Sequence, residues 1–185
     1  MGRPLRLYAH GIYHVAGHGS DDRILFRDDA DRRAFLDHLE RTFVSLGLGI
    51  VSFVVMTNHH HLIVSTPDAR IARALHDLHG GYARMHNRRH GRTAHLFRAH
   101  PLVRRIEDND DLRWVDRYVA RNPVEAGIVP SSFDWWWSSA TAHAGLSPSL
   151  ITLDEAPLRG AYENAPLWRD HYFRYVSGES VSRAA

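Results

Sequence analysis

The chain contains no cysteine, no lysine and no glutamine among its 185 residues. Without cysteine there is neither a disulfide nor a thiolate metal site, so any metal must be held by imidazole, carboxylate or amide oxygen. No apolar run approaches the roughly 20 residues that a membrane helix needs. Nothing near the N-terminus has the charged, apolar and small-residue succession of a signal peptide. A soluble, intracellular protein without a membrane partner is the expectation. The net charge of +2 is too small to imply nucleic acid by itself.

The charge is nonetheless unevenly distributed. Acidic residues are missing from His79 to Ile106, a stretch that carries Arg84, Arg88, Arg89, Arg92, Arg98, Arg104 and Arg105 interleaved with Tyr82, Phe97 and several histidines. Every cation other than histidine is arginine, whose planar fork matches phosphate oxygens better than an ammonium does. A GC-rich coding bias would account for the missing lysine, but not for the clustering. These arginines are candidates for phosphate contacts, and Tyr82, Phe97 and Arg98 for base stacking; a packed core and a solvated face are the plainer alternatives.

Hydrophobic residues make up 44% of the chain, enough for one substantial core. The expected organisation is a domain over 1–130 with a C-terminal extension, 131–185, packed on it. Gly11–Gly17 alternates like a half-buried strand, and Asp28 and Asp29 introduce a helix with Phe35, Leu36, Leu39 and Phe43 at helical spacing. Ile50–Met56 and His60–Ser65 read as two strands of a hairpin. Pro67 and Asp68 open a second helix, Leu102–Ile106 is a further strand, and Asp108–Asp111 caps a third helix ended by Asn122 and Pro123. The order strand, helix, strand, strand, helix, strand, helix predicts an α+β, ferredoxin-like antiparallel sheet with helices on one face and an extra helix laid on the sheet. The aromatic knot of Phe133, Trp135, Trp136 and Trp137 is expected to close the core or a subunit interface, since such a cluster would promote aggregation if exposed.

Asn58-His59-His60-His61, followed by Leu62, Ile63 and Val64, is the most informative stretch. Side chains alternate along a strand, so His59 and His61 share one face while His60 points to the other. Two imidazoles at i and i+2 can hold one metal ion; consecutive histidines can also form a solvated edge. On the third helix Tyr118 and Asn122 lie one turn apart, so a hydroxyl and an amide oxygen can face the same place. A tyrosine attacks a phosphodiester only with help, because a phenol has a reference pKa of about 10. A divalent ion supplies that help by polarising the scissile phosphate.

Four blocks in order, YHVAGHGSDD with ILFRDDADRRAFL, VVMTNHHHLIVSTPDA, GGYARMHNRRHGRTAHLF and RYVARNPVEAGIV, resemble the single-tyrosine HUH transposases. Within that group the chain resembles the REP-associated tyrosine transposases in particular, and the resemblance runs from about Tyr13 to Ser139. It implies a ferredoxin-like, metal-dependent nuclease, usually a dimer, that nicks single-stranded DNA beside a hairpin and becomes linked to the 5′ phosphate through tyrosine. The energy kept in that phosphotyrosine bond lets a freed 3′ hydroxyl rejoin without ATP. The metal histidines of the family fall on His59 and His61, the nucleophile on Tyr118, and a further ligand on Asn122, where other members use glutamine. Magnesium or manganese is the implied ion, and a bacterial cytoplasm with binding to the nucleoid the implied setting.

Three positions depart from the family pattern. His60 stands where a hydrophobic residue is usual, which suggests a tolerant environment or an extra polar contact behind the strand. His18-Gly19-Ser20 replaces Arg-Gly-Asn, and Arg98-Ala99-His100-Pro101 replaces a glutamine followed by a Gly-Arg-Tyr-like run. Two other functions fit the same residues: a domesticated DNA-binding protein that no longer cuts, and a hydrolase that uses a metal-activated water and can dispense with Tyr118.

Overall fold

The computed structural model describes residues 10–163 and 165–178. Four antiparallel strands, β1 (Gly11–His18), β2 (Gly49–Val55), β3 (His59–Thr66) and β4 (Leu102–Ile106), form one sheet in the order β2-β3-β1-β4. This is the split βαββαβ arrangement of the ferredoxin-like class, as expected. β1 and β3 are central and run in register from Gly11 opposite Thr66 to His18 opposite His59.

Helices α1 (Asp29–Ser45) and α2 (Ile71–Arg89) cover one face. Asp28 caps α1 by accepting the Asp31 amide at 3.0 Å, and Phe35, Leu36, Leu39 and Phe43 project from it into a core shared with Tyr13, Val15, Leu62, Val64 and Tyr82. Tyr82 is fully buried, its hydroxyl donating to the Leu25 carbonyl at 2.7 Å, so it belongs to this core and not to a stacking surface. α2 begins at Ile71, a few residues later than the Pro67-Asp68 signal, because Thr66 and Asp68 first form a side-chain-bonded turn.

The opposite face carries α3 (Asn109–Glu125), whose Leu112, Val115 and Val119 pack on Val51, Val54 and Ile63. The sequence places its end at Asn122-Pro123, yet the helix runs on to Glu125 with Pro123 inside it. A proline in the last turn removes only one N–H, and the turn still closes through Ala126 N–H to Asn122 O at 3.0 Å. Among the described residues a 3-10 turn (Ser132–Asp134) and the short helices α4 (Ala140–His143), α5 (Ala156–Ala161) and α6 (Trp168–Ser177) follow on this face.

The segment after α3 also seals the open edge of β2. Val55 N–H donates to Trp137 O, Ser139 N–H to Phe53 O and Asp154 N–H to Ile50 O, at 2.9, 3.0 and 2.8 Å. An edge strand so covered cannot template pairing with another chain. The aromatic knot is divided by this arrangement. Trp135 donates to Val55 O at 3.1 Å and Phe133 stacks on Phe173, whereas Trp136 remains 55% exposed.

Beneath α3 lies a polar chain sealed from solvent: the Ser52 hydroxyl donates to Asp116, and His143 Nε2 lies 3.2 Å from Ser52 Oγ and 2.9 Å from Val51 O. Burial raises Asp116 to about 7, opposed by the Ser52 hydroxyl and the nearby Tyr172, while burial lowers His143 to about 4. An unfolded aspartate ionises near pH 3.9, so Asp116 is neutral in both states in strong acid and costs nothing there. As pH rises from about 4 to 7 the unfolded chain gains its charge first, and the Asp116 contribution to stability falls on the order of a few kcal/mol, opposed over the same range by His143, whose lowered pKa makes stability rise. Asp116→Asn is therefore expected to raise the urea midpoint at pH 8 and to leave it nearly unchanged at pH 4. Equal shifts at both pH values would remove Asp116 as the cause.

Candidate active site

The first strand and the start of the third bring four imidazoles to the α3 side of the sheet. Along β1 the alternation sends His14 and His18 to the face on which β3 presents His59 and His61. His18 stacks on His59 with ring centroids 5.0 Å apart, and His14 on His61 at 5.2 Å, with His14 Nε2 3.0 Å from His61 Nδ1. His14 and His61 lie deep, at 6% and 4% exposure, while His18 and His59 form the rim.

α3 completes the cluster. Its cap at Asp108, which accepts the Asp111 amide at 2.8 Å, fixes the start, and the apolar stripe turns Trp114, Tyr118 and Asn122 to the site at successive turns. The Tyr118 ring meets His61 edge-on at 5.3 Å and His14 at 6.1 Å. Trp114, 62% exposed, lies parallel to Tyr118 at 6.2 Å. Thus the residues singled out in the sequence, His59, His61, Tyr118 and Asn122, are brought together. His14, His18 and Trp114 are additions. The signal for the two histidines was the period-two spacing of His14, Ala16 and His18, and for Trp114 the four-residue step to Tyr118.

The protonation pattern is informative. Burial, reinforced by the His14, His59 and His18 rings, pushes His61 down to about 2; burial and nearby Arg104 push His14 to about 4. Burial also lowers His59, partly offset by Asn122. These three rings are neutral at pH 7 and offer lone pairs. His59 turns both ring nitrogens toward amide oxygens, Nδ1 to Asn58 Oδ1 and Nε2 to Asn122 Oδ1, each at 2.8 Å. A neutral imidazole has one N–H, so one of these contacts sets lone pair against lone pair. A cation shared by His59 Nε2 and Asn122 Oδ1 resolves that conflict, as does a turned Asn122 amide. Their 2.8 Å separation is close to the edge of about 3 Å between neighbouring ligands of a six-coordinate ion with bonds of about 2.1 Å.

His60 faces the other way. It is fully buried under α1 and α2, with Nε2 3.0 Å from His79 Nε2 and its ring 4.8 Å from Phe35. The polar contact behind the strand is therefore His79. Gly17 makes room for this pair, because a Cβ there would come within 2.3 Å of His60 Nε2 and 3.0 Å of His79 Nε2. Gly17→Ala is expected to cost about 1–3 kcal/mol in urea unfolding. With His60→Val also present the combined loss should fall short of the sum of the two. Strict additivity would mean that the close approach carries no strain.

The arginines are divided between surfaces. Arg104, opposite His14 in the β1–β4 register, is held by Asp111 through two bonds of 2.9 Å on the active-site face, and alternation sends Arg105 to the other face. Arg98 reaches the rim because the chain at Leu96–Arg98 pairs with the end of β1, Arg98 N–H donating to His18 O at 2.9 Å; its guanidinium holds Asp22 at 2.6 Å. Arg89 is committed to Asp28 and Asp31. Arg84 and Arg88 are exposed at the end of α2, and Arg92, half-buried, follows in the loop. Arg84 and Arg98 flank a cleft of about 550 Å³ that also contains His79, Asn87 and Phe97, with Phe97 stacked on His79 at 4.2 Å.

A ferredoxin-like sheet carrying paired histidines on its third strand and a tyrosine on a following helix defines a class of histidine- and tyrosine-bearing α+β domains. The family model described as Transposase IS200 like matches residues 9–122, more than half of the chain, and the chain belongs to that family. Among solved structures, a REP-associated tyrosine transposase bound to a REP hairpin is 19% identical, with a TM-score of 0.66 over 84% of this chain and 94% of that one. It establishes a shared fold. A chain from Deinococcus radiodurans R1, assigned only provisionally as a transposase, is 20% identical with a TM-score of 0.45 over 64% of this chain and 95% of that one. No curated protein matches the sequence significantly. Among the described residues no helix is long and apolar enough to cross a membrane.

Proposed function

We propose that this transposase-family chain cuts and rejoins single-stranded DNA beside hairpins by transesterification on Tyr118. The observation that carries this reading is the convergence of Tyr118 with His61 and of Asn122 with His59 from separate elements. In the cleavage step the Tyr118 oxygen forms a bond to the scissile phosphorus, the bond from phosphorus to the 3′ oxygen breaks, and the 5′ phosphate stays on the enzyme. The phenol releases a proton and the departing 3′ oxygen takes one up. The reverse reaction, with another 3′ hydroxyl as attacker, reseals the strand without an outside energy source.

His59, His61 and Asn122 would hold a magnesium or manganese ion, which when bound polarises the scissile phosphate. Asn58 orients His59 through Nδ1, and His14 orients His61 in the same way, as partners behind metal-binding imidazoles do. Trp114 offers an exposed plane beside the nucleophile on which an unpaired base can stack. Arg84, Arg88, Arg92, Arg98, Arg104 and Arg105 supply phosphate contacts, with Arg89 serving chiefly to tie α2 to the start of α1. Residues 131–185 are read as an extension of the nuclease domain over 1–130, and the working form as a homodimer in the bacterial cytoplasm.

The test is to incubate the protein with a library of hairpin-bearing single-stranded oligonucleotides and manganese, with and without EDTA. A covalent adduct found by denaturing gel, mapped by mass spectrometry to Tyr118 and abolished by EDTA, is the predicted outcome. Hairpin binding without an adduct, across a library broad enough to contain the true site, would instead favour a DNA-binding protein that has lost cleavage.

A further inference from the structure

On the far side of the sheet, where α1 and α2 meet, a second group of metal-binding side chains comes together. Asp31 stands in the first turn of α1; His86 lies on the last turn of α2 and His90 just beyond it, four residues on. One ligand atom from each of the three lies within 4.8 Å of the others. His90 Nε2 is 3.0 and 2.9 Å from the two Asp31 oxygens, and the rings of His86 and His90 are 4.5 Å apart.

The second observation is His86 itself. It is 2% exposed, and among the described residues neither of its ring nitrogens has a partner within hydrogen-bond geometry; the neighbouring Asn87 side chain is close enough to favour its protonated form, but the Asn87 Oδ1 is itself unmatched. Buried polar atoms are nearly always satisfied, so an imidazole with both nitrogens unmatched beside a buried carboxylate calls for something between them. Asp31 is suited to a cation. Burial opposes its charge, but the Arg27 amide, His90 and Arg89 outweigh that and hold its carboxyl below the usual range. Arg89 also contacts this carboxylate, yet it makes bonds of 2.6 and 2.8 Å to Asp28 and its side chain is 42% exposed, so it can withdraw onto Asp28 alone.

We propose that Asp31, His86 and His90 form a second metal site, separate from the tyrosine centre, that takes an imidazole-preferring divalent transition ion such as zinc or cobalt. Two imidazoles and one carboxylate, with a fourth position left to water, are a common donor set for zinc. Magnesium prefers oxygen donors and its own waters, so the two centres differ in the ion they select. A bound ion would clip the start of α1 to the end of α2, with Arg89 retained on Asp28.

The experiment is cobalt titration of the full chain carrying His14→Ala, His18→Ala, His59→Ala and His61→Ala, which removes all four imidazoles of the other centre, so its result does not depend on the nicking reading. One equivalent of cobalt should bind, with visible absorption of a low-coordinate ion. At a hundredfold excess over Kd, Tm should rise by about 5–10 °C. Adding His86→Phe, whose ring can keep the contacts with Tyr82 and His90, should reduce the stoichiometry from one to zero and abolish the rise in Tm. Should that variant not fold, His90→Gln at the half-buried helix end gives the same reading. Absence of binding in the background lacking those four histidines would overturn the proposal, as would binding that survives a folded His86→Phe or His90→Gln variant.

Discussion

Tyr118→Phe is expected to eliminate the covalent protein–DNA adduct and to lower strand nicking by at least about a thousandfold, as removal of a nucleophile does elsewhere. Binding of hairpin DNA should change little. The substitution deletes one oxygen and keeps the ring that lies parallel to Trp114 and edge-on to His61, so the helix, the stack and the histidine cluster persist. The pair of measurements is nicking on a denaturing gel and binding by fluorescence anisotropy. Nicking at the parental rate would sink the tyrosine mechanism and transfer the attack to water.

The second large effect concerns His61 and its neighbour. His61→Ala is expected to weaken manganese binding by more than about a hundredfold, since loss of an orienting partner alone costs about 10–100-fold. His14→Ala should fall within that smaller range, because its Nε2 meets His61 Nδ1 at 3.0 Å and leaves His61 Nε2 to the ion. Isothermal titration of both variants ranks the roles. Equal losses would make His14 a ligand in its own right, and no loss in His61→Ala would remove the proposed centre.

The fold could be read closely from the sequence, because its signals are local. Alternation in Gly11–Gly17, capping carboxylates at Asp28 and Asp108, and the apolar spacing of α1 all became the elements they suggested. Periodicity put His59 with His61 on one strand face and Tyr118 with Asn122 on one helix face; that the two pairs meet at one site was legible only through the family resemblance. His14 and His18 escaped notice because their relevance depends on β1 lying beside β3, a pairing between residues more than forty positions apart. Sequence adjacency also hid how the arginine run divides in space. Adjacent in sequence, Arg104 and Arg105 separate onto opposite faces, and Arg89 is absorbed by Asp28 and Asp31. The continued helix past Pro123 shows a local rule yielding to a last turn that loses only one hydrogen bond.

The alternation at the start of β3 also couples two parts of the molecule. His59 and His61 aim at the proposed scissile phosphate, while His60 between them is anchored against His79 and Phe35 in the core under α1 and α2. The same three residues thus serve as a lever whose fulcrum lies in the opposite core. Repacking around His79 to make the protein hardier would tilt the imidazoles beside Tyr118, so under the proposed function thermal tolerance and cutting accuracy would have to be tuned together.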